Sequence, residues 1–334
     1  MRLIRGLHNL SSLKSGCVAT IGNFDGVHQG HRVILAQVRE QAKRLQVPSV
    51  VMVFEPQPRE FFQHEQSPPR LMRFREKLIA LQNEQIDIVV CLQFKARLRN
   101  LTADEFIQQI LVDALKVRYL VVGDDFRFGC DRAGNFQLLQ QSGERAGYQV
   151  ERTRTVEVSG DRVSSTRIRQ ALDQNDFDLA AQLLGHEYTI TGCVVHGKKL
   201  GRQFGVPTAN VSLGRKKPAL NGVYAVSAQL IGPKRGAGSQ SGALAAAVIV
   251  PEVESWKGVA NIGSRPTVDG LRPALEVHLL DFSGDLYGYH LRVVFHHKIR
   301  DEQKFASLDL LKQQILLDVQ MARRYFDEGA TPLC

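Results

Sequence analysis

The stretch CVATIGNFDGVHQGHRVILAQVREQAKRL, Cys17 to Leu45, decides the architecture of the first half of the chain. It opens on CVATI, a β-branched apolar run with no polar alternation, as a strand buried on both faces requires. A glycine-rich turn follows, and from His31 the apolar residues recur at helical spacing. SVVMVF (Ser49–Phe54), DIVVC (Asp87–Cys91) and RYLVV (Arg118–Val122) repeat the strand type, with helical patterns between them. Such alternation predicts an α/β domain with a parallel, doubly wound sheet. Ligands of these sheets bind beyond the carboxyl ends of the strands.

From Tyr188 the pattern changes. YTITGCVV, GVYAVSAQL, LEVHLLDF and YHLRVVF are alternating runs separated by turns, which predicts an antiparallel sheet or barrel. Asn221-Gly222 reads as a hairpin turn. A closing helix is expected from Ser307 to about Phe326, with Leu311, Ile315, Val319, Ala322 and Phe326 as its apolar stripe. The expected domains are 1–185 and 186–334, in keeping with a chain of 334 residues and ~150 residues per domain.

Composition narrows the class. At 43% hydrophobic and 23% charged, the chain is of the soluble globular kind. Its longest apolar run, Ala243 to Val250, is far below the ~18 residues that cross a bilayer, so no membrane association is expected. MRLIRGLHNLSSLKSG lacks an apolar core and is expected not to be a signal peptide. The five scattered cysteines form no CxxC pair, which suits a reducing, cytoplasmic setting. The net charge of +9 contains no block of five like charges and no aromatic-interleaved basic stripe. It fits small polyanions such as ATP, and nucleic acid is not an expected partner. The oligomeric state stays open, a monomer included.

Three segments carry chemistry. In the first turn, Gly22, Gly26 and Gly30 let backbone approach a ligand, and a helix start there supplies unpaired N–H groups for phosphate. His28 and His31, three apart, can both face that point and donate to charge building on a phosphoryl group. Far along the chain, Ser164, Ser165 and Thr166 precede a helix expected to run to about Leu184, flanked by Arg162, Arg167 and Arg169. Three hydroxyls and these arginines exceed what a simple cap requires.

The third segment is HGKKLGRQFGVPTANV, His196 to Val211. The preceding GCVVHGKK, Gly192 to Lys199, nearly spells a phosphate loop, but Lys199 replaces the metal-binding hydroxyl and Cys193–Val195 read as a strand. In the longer string, Gly197, Gly201 and Gly205 make a loop able to wrap a nucleotide, with Lys198, Lys199 and Arg202 supplying charge. Thr208 and Asn210, after Pro207, are two small oxygen ligands suited to Mg²⁺. Along LEVHLL, Glu276 and His278 share one strand face and Leu275, Val277 and Leu279 the other. Glu276 is either a general base or a solvent-facing strand residue.

GNFDGVHQGH carries the HxGH signature of the nucleotidyltransferase superfamily, and SSTRIR is similar to its second signature. GDDFRFG (Gly123–Gly129) and FEPQPREFF (Phe54–Phe62) narrow the resemblance to the prokaryotic bifunctional riboflavin kinase/FMN adenylyltransferases. HGKKLGRQFGVPTANV, ANIGSRPTV (Ala260–Val268), DLYG (Asp285–Gly288) and KIRDEQKFASLD (Lys298–Asp309) resemble the kinase half of that family. The likeness spans nearly the whole chain in the family's motif order. It implies a Rossmann-like adenylyltransferase domain, a riboflavin kinase-like barrel with its closing helix, and Mg²⁺ with ATP as co-substrate. Riboflavin, FMN and FAD are then substrates and products.

Residue by residue, the resemblance implies an adenylyltransferase ATP site at Gly22, Phe24, Asp25, Gly26, Gly30, Arg162, Ser164, Ser165, Thr166 and Arg169. His28 and His31 are implied as transition-state donors, with no covalent intermediate. Phe54, Pro56, Pro58, Asp125, Phe126 and Phe128 fall near one flavin, and Arg300 and Glu302 near the other. The kinase ATP loop falls on Gly197, Lys198, Gly201, Arg202, Gly205 and Pro207, the metal on Thr208 and Asn210, and the catalytic carboxylate on Glu276. Asp124 takes no defined role. The segment from Gly232 to Gly242 is longer than the family's usual hairpin. A single-activity nucleotidyltransferase with a ligand-binding β domain is the alternative, and Thr208-Ala-Asn210 together with Glu276 count against it.

Overall fold

The computed structural model describes residues 1–12, 15–197, 201, 204–215, 217–231, 254–267 and 270–329. The long segment from Gly232 to Gly242, Lys198, Lys199 and Arg202 lie outside them. The chain forms two compact units, Met1–Pro68 with Phe74–Ser165, and Pro69–Arg73 with Thr166–Cys334. The division falls at Ser165, so the segment preceding the expected 185/186 change-over groups with the second unit.

In the first unit, β1 (Arg2–Arg5), β2 (Cys17–Ile21), β3 (Ser49–Phe54), β4 (Ile88–Leu92), β5 (Val117–Val122) and β6 (Gln149–Arg152) form one sheet in the order β1-β4-β3-β2-β5-β6. Every pairing in it is parallel. Helix α1 (Gln29–Leu45) follows β2, α2 (Pro58–Gln63) follows β3, and α3 (Phe74–Asn83) precedes β4. Next come α4 (Ala96–Arg99) and α5 (Ala103–Phe106), which widens into a π-helix over Ile107–Ala114, and later α6 (Phe136–Ala146). A small hairpin, β7 (Glu157–Val158) and β8 (Asp161–Arg162), ends the unit.

Strand alternation distributes the core to both sheet faces. Val18, Tyr119 and Val121 pack with Val38 and Ala42 of α1. Cys17, Ala19, Ile21, Leu120 and Val122 pack on the other face with Phe106, Ile110, Leu111 and Leu139. Two strands, β1 and β6, did not register as strands in the sequence. RLIR and QVER are sheet edges, four residues each and only partly buried, so they lack the apolar run that marks the central strands.

The helix expected to run from the Ser/Thr segment to Leu184 is two helices. Helix α7 (Ser165–Asp173) stops where Asn175 turns left-handed at φ 59°, and α8 (Phe177–Leu184) restarts under an Asp176 cap. Asp176 accepts from the Leu179 N–H at 2.9 Å. Asn and Asp at those two positions supply a stop and a start in succession.

The second unit is a closed barrel of β9 (Thr189–Val195), β10 (Ala209–Val211), β11 (Gly222–Ile231), β12 (Ser255–Thr267), β13 (Gly270–Leu279) and β14 (His290–Arg300). Strand order around it is β10-β13-β12-β11-β14-β9, and every described pairing is antiparallel. Tyr224, Val226, Ala260, Ile262, Leu275, Val277 and Phe295 fill its interior. Asn221-Gly222 is not a hairpin turn: Gly222 opens β11, which pairs with β12 and β14 but not with β10. Glycine is required there because its φ is 122° and a Cβ would collide with the Arg300 carbonyl.

Helix α9 (Leu308–Glu328), capped by Ser307, closes the outer face. Ala322, Val319, Tyr325 and Phe326 meet Val223, Ala225 and Val259 there. The expected stripe is present, but a buried carboxylate, Asp318, sits within it. Arg300 answers that charge bidentately, Nε to Oδ1 at 2.8 Å and Nη2 to Oδ2 at 2.7 Å. Gln314 adds a third hydrogen bond to Oδ1 at 2.9 Å.

Candidate active sites

The segments after β2, β3 and β5 all leave the carboxyl edge of neighbouring strands, where a doubly wound sheet receives ligands. After β2 the chain makes a tight turn, tied to β3 by the Gly22 N–H on Met52 O at 3.1 Å. Phe24 (φ 46°), Gly26 (φ 92°) and Val27 (φ 39°) are all left-handed, and Phe24, Asp25, Val27 and His28 are buried. His28 then caps α1, its Nδ1 accepting from the His31 N–H at 3.4 Å. An accepting Nδ1 leaves the imidazole proton on Nε2, where it can be donated.

His28 and His31 stack, with ring centroids 3.6 Å apart and planes 18° apart, and Phe24 lies 4.8 Å from His31. His31 Nδ1 is buried with no hydrogen-bond partner among the described residues. Burial, then the charges of His28 and Lys77, hold the His31 pKa well below the ordinary imidazole value. His31 is therefore held neutral, able to donate without carrying a charge of its own. Gly30 packs beside the Val163 carbonyl, and Ser165 Oγ donates to Asp25 O at 2.8 Å, so Ser165 is tied to the first turn.

The depressed His31 value sets a pH dependence. Below an unfolded histidine pKa of about 6.5 the unfolded chain takes up a proton that folded His31 refuses, so stability falls as pH drops from there toward the folded value. His31→Gln should remove up to about 1.4 kcal/mol per pH unit of that slope, read from urea unfolding between pH 7.5 and 5.5. An unchanged slope would place His31's protonation elsewhere.

Two arginines are already occupied. Arg162 bridges Asp124 and Asp125 at 3.2 and 3.0 Å, while Thr155 donates to Asp124 at 2.7 Å. The Thr155 hydrogen bond, then Arg162, lower the Asp124 pKa. In the second unit, Arg169 Nε donates to Pro69 O at 2.6 Å. Thr166 stands in the first turn of α7, and Ser164 just before it.

Around the expected flavin segment, Pro58 opens α2 and Glu60 accepts the Gln57 N–H at 2.9 Å. Pro56 follows a cis peptide bond. Phe54, Phe61 and Phe62 meet Phe94, which follows β4, edge-on with centroids 5.5 to 5.8 Å apart, and Phe62 stays half exposed. Phe126 stacks on Phe128 at 5.6 Å, but Phe128 is buried against Phe106. Sequence reading missed Phe94, which stands alone in QFKAR. It also missed Lys77, fully buried in α3 and detectable only as a lysine at a core-facing helical position beside Leu78.

In the barrel, Asn210 of β10 pairs with Glu276 of β13. A Cβ on Gly197 would overlap the Asn210 carboxamide, and one on Gly201 would press the Val206 carbonyl and lie 3.3 Å from Thr208 Oγ1. Both glycines thus leave a cradle around the two expected metal ligands. Gly205 turns left-handed at φ 76°, just before Val206 and Pro207. His278 on the Glu276 face is held by Pro207 O at 2.9 Å, and burial lowers its pKa. Arg300 is committed to Asp318, and its Nη1 donates to Asp301 O at 2.9 Å. The Glu302 carboxylate packs directly on the α-carbon of Gly263.

Two family models match the chain: FAD synthetase over residues 10–167, and riboflavin kinase over 184–326. A bifunctional riboflavin kinase/FMN adenylyltransferase of Pseudomonas fluorescens is 55% identical over 97% of each chain. The chain belongs to the bifunctional riboflavin kinase/FMN adenylyltransferase family. The family member of Escherichia coli K12 is 49% identical over 98% of each chain. A Streptococcus pneumoniae crystal structure described as a macrolide-efflux protein shares the fold at TM-score 0.74 and 28% identity, covering 97% of this chain and 99% of that one. Among the described residues, no helix is long and apolar enough to cross a membrane.

Proposed function

We propose that the family's two reactions are divided between the two halves, adenylyl transfer in 1–185 and phosphorylation in 186–334. The enzyme phosphorylates riboflavin to FMN with ATP, then transfers an adenylyl group from a second ATP to FMN, giving FAD and pyrophosphate. The observation that carries the assignment is that Glu276 pairs across the ladder with Asn210, while Gly197 lies against Asn210 and Gly201 beside Thr208, which sets a carboxylate next to two hard oxygen donors.

In the kinase half, Glu276 takes the proton of the terminal ribityl hydroxyl as that oxygen attacks the γ-phosphorus; the bond from the γ-phosphorus to the bridging oxygen breaks and ADP leaves. Thr208 Oγ1 and Asn210 Oδ1, two hard oxygen donors, would hold Mg²⁺. When bound, Mg²⁺ would supply charge neutralisation for the nucleotide phosphates. Gly197, Gly201 and Gly205, with Lys198, Arg202 and Pro207, wrap the nucleotide. Glu302 faces the flavin, and Arg300 holds it in place through the strand end that Asp318 anchors.

In the other half, FMN phosphate attacks the α-phosphorus of ATP directly. His28 and His31 donate to the charge that builds there, beside the backbone of Gly22, Phe24, Asp25, Gly26 and Gly30. Ser164, Ser165, Thr166, Arg162 and Arg169 take the phosphates; Arg162 must exchange Asp124 and Asp125 for them. Phe54, Pro56, Pro58, Asp125, Phe126 and Phe128 line the FMN site, extended by Phe62 and Phe94. The work belongs to the cytoplasm, needs no nucleic acid, and is compatible with a monomer.

Incubation with riboflavin, ATP and Mg²⁺ should yield FMN and then FAD by chromatography, and chelating the metal should abolish FMN. FMN formation undiminished by chelation would remove Thr208 and Asn210 from the metal role.

A further inference from the structure

One row of paired residues runs across the barrel through Glu276. Asn210 pairs with Glu276, Glu276 with Asn261 of β12, and Asn261 with Val223 of β11. Directly paired residues in an antiparallel ladder present their side chains on one face, Cβ atoms about 5 Å apart. Here that face is the outer one, because Val223 packs with Ala322 of α9 while Ala260, Ile262, Leu275 and Val277 fill the interior. Asn261 Oδ1 is buried, and no described residue donates to it. Buried polar atoms nearly always have partners, and leaving one without costs stability. A carboxamide kept in that condition beside the catalytic carboxylate is a receptor for a group that arrives.

Its place indicates the group. Asn210 and Thr208 lie on one side of Glu276, the side of the cation and phosphates. Asn261 lies on the other. Two residues further along the same strand face, Gly263 carries the Glu302 carboxylate against its α-carbon. A riboflavin with its ring near Glu302 and its terminal hydroxyl at Glu276 must lead its hydroxylated chain past Asn261. An amide oxygen accepts a hydroxyl proton without ionising, so it does not compete with Glu276 as a base.

We propose that Asn261 Oδ1 accepts a hydrogen bond from an internal hydroxyl of the ribityl chain, selecting flavins that bear a polyol and setting the terminal hydroxyl against Glu276. This rests on the kinase site described under the proposed function. Asn261→Leu and Asn261→Ala in the full chain should raise the riboflavin KM on the order of tenfold, the size of one lost buried hydrogen bond. The ATP KM and FAD formation from supplied FMN should not change. Inhibition by lumiflavin, which has the ring but no polyol, should also be unchanged. The melting temperature of Asn261→Leu should equal or exceed wild type, since it removes a polar atom unsatisfied in the free protein. A riboflavin KM within twofold of wild type in both variants overturns the proposal. So does a parallel loss of riboflavin and lumiflavin affinity, or lower melting temperature with weakened ATP binding, which would make Asn261 structural. Wild-type kinase turnover in Glu276→Gln would overturn it differently, by removing the site on which it rests.

Discussion

Glu276→Gln should lower riboflavin phosphorylation by roughly a hundredfold to ten-thousandfold, since glutamine keeps the shape but cannot accept a proton. The ATP KM should hardly move, because the proposed grip on the nucleotide lies with the glycine loop and with Thr208 and Asn210, across the ladder from Glu276. FMN adenylylation in the same preparation should proceed at the wild-type rate and serves as the folding control. A solvated strand glutamate would behave otherwise, with effects inside about half a kcal/mol. Undiminished phosphorylation would move the base elsewhere. His278 shares the strand face and is next in line, with its pKa already lowered by burial.

The second large effect belongs to the histidine pair. His28→Ala and His31→Ala should each slow FAD formation about a hundredfold or more, the usual loss for one transition-state donor. FMN formation from riboflavin should be untouched. The two losses should not add, because the rings stack at 3.6 Å and His28 also caps the helix that carries His31. Near-normal FAD synthesis in the double variant would sink the assignment.

What could be read beforehand followed a physical divide. Central strands and the closing helix announced themselves because burial on both faces, or along one stripe, forces a pattern on composition. Edge strands β1 and β6 escaped because their partly open faces tolerate Arg, Gln and Glu. Motif glycines were legible where a left-handed turn or a close approach leaves few substitutes, as at Gly26, Gly197 and Gly205. The long-range partners were not. Nothing local in KIRDEQ says that Arg300 belongs to Asp318, eighteen residues on, or that Arg162 is spanned by Asp124 and Asp125. Asn221-Gly222 misled because the left-handed freedom that makes a hairpin also suits a strand start pressed against a neighbouring carbonyl.

The turn after β2 has a consequence for the proposed adenylyl transfer beyond its contacts. Phe24 and Val27 hold positive φ angles that neither residue favours, at roughly 1–3 kcal/mol apiece. The Gly22–Met52 hydrogen bond, the buried Phe24 ring and the His28 cap keep the turn shut like a compressed spring. It was compressed when the sheet folded, before any nucleotide arrived. On the proposed assignment ATP meets a finished mould, and none of its binding energy is diverted into ordering the loop. That energy stays available for the moment when the α-phosphorus changes hands.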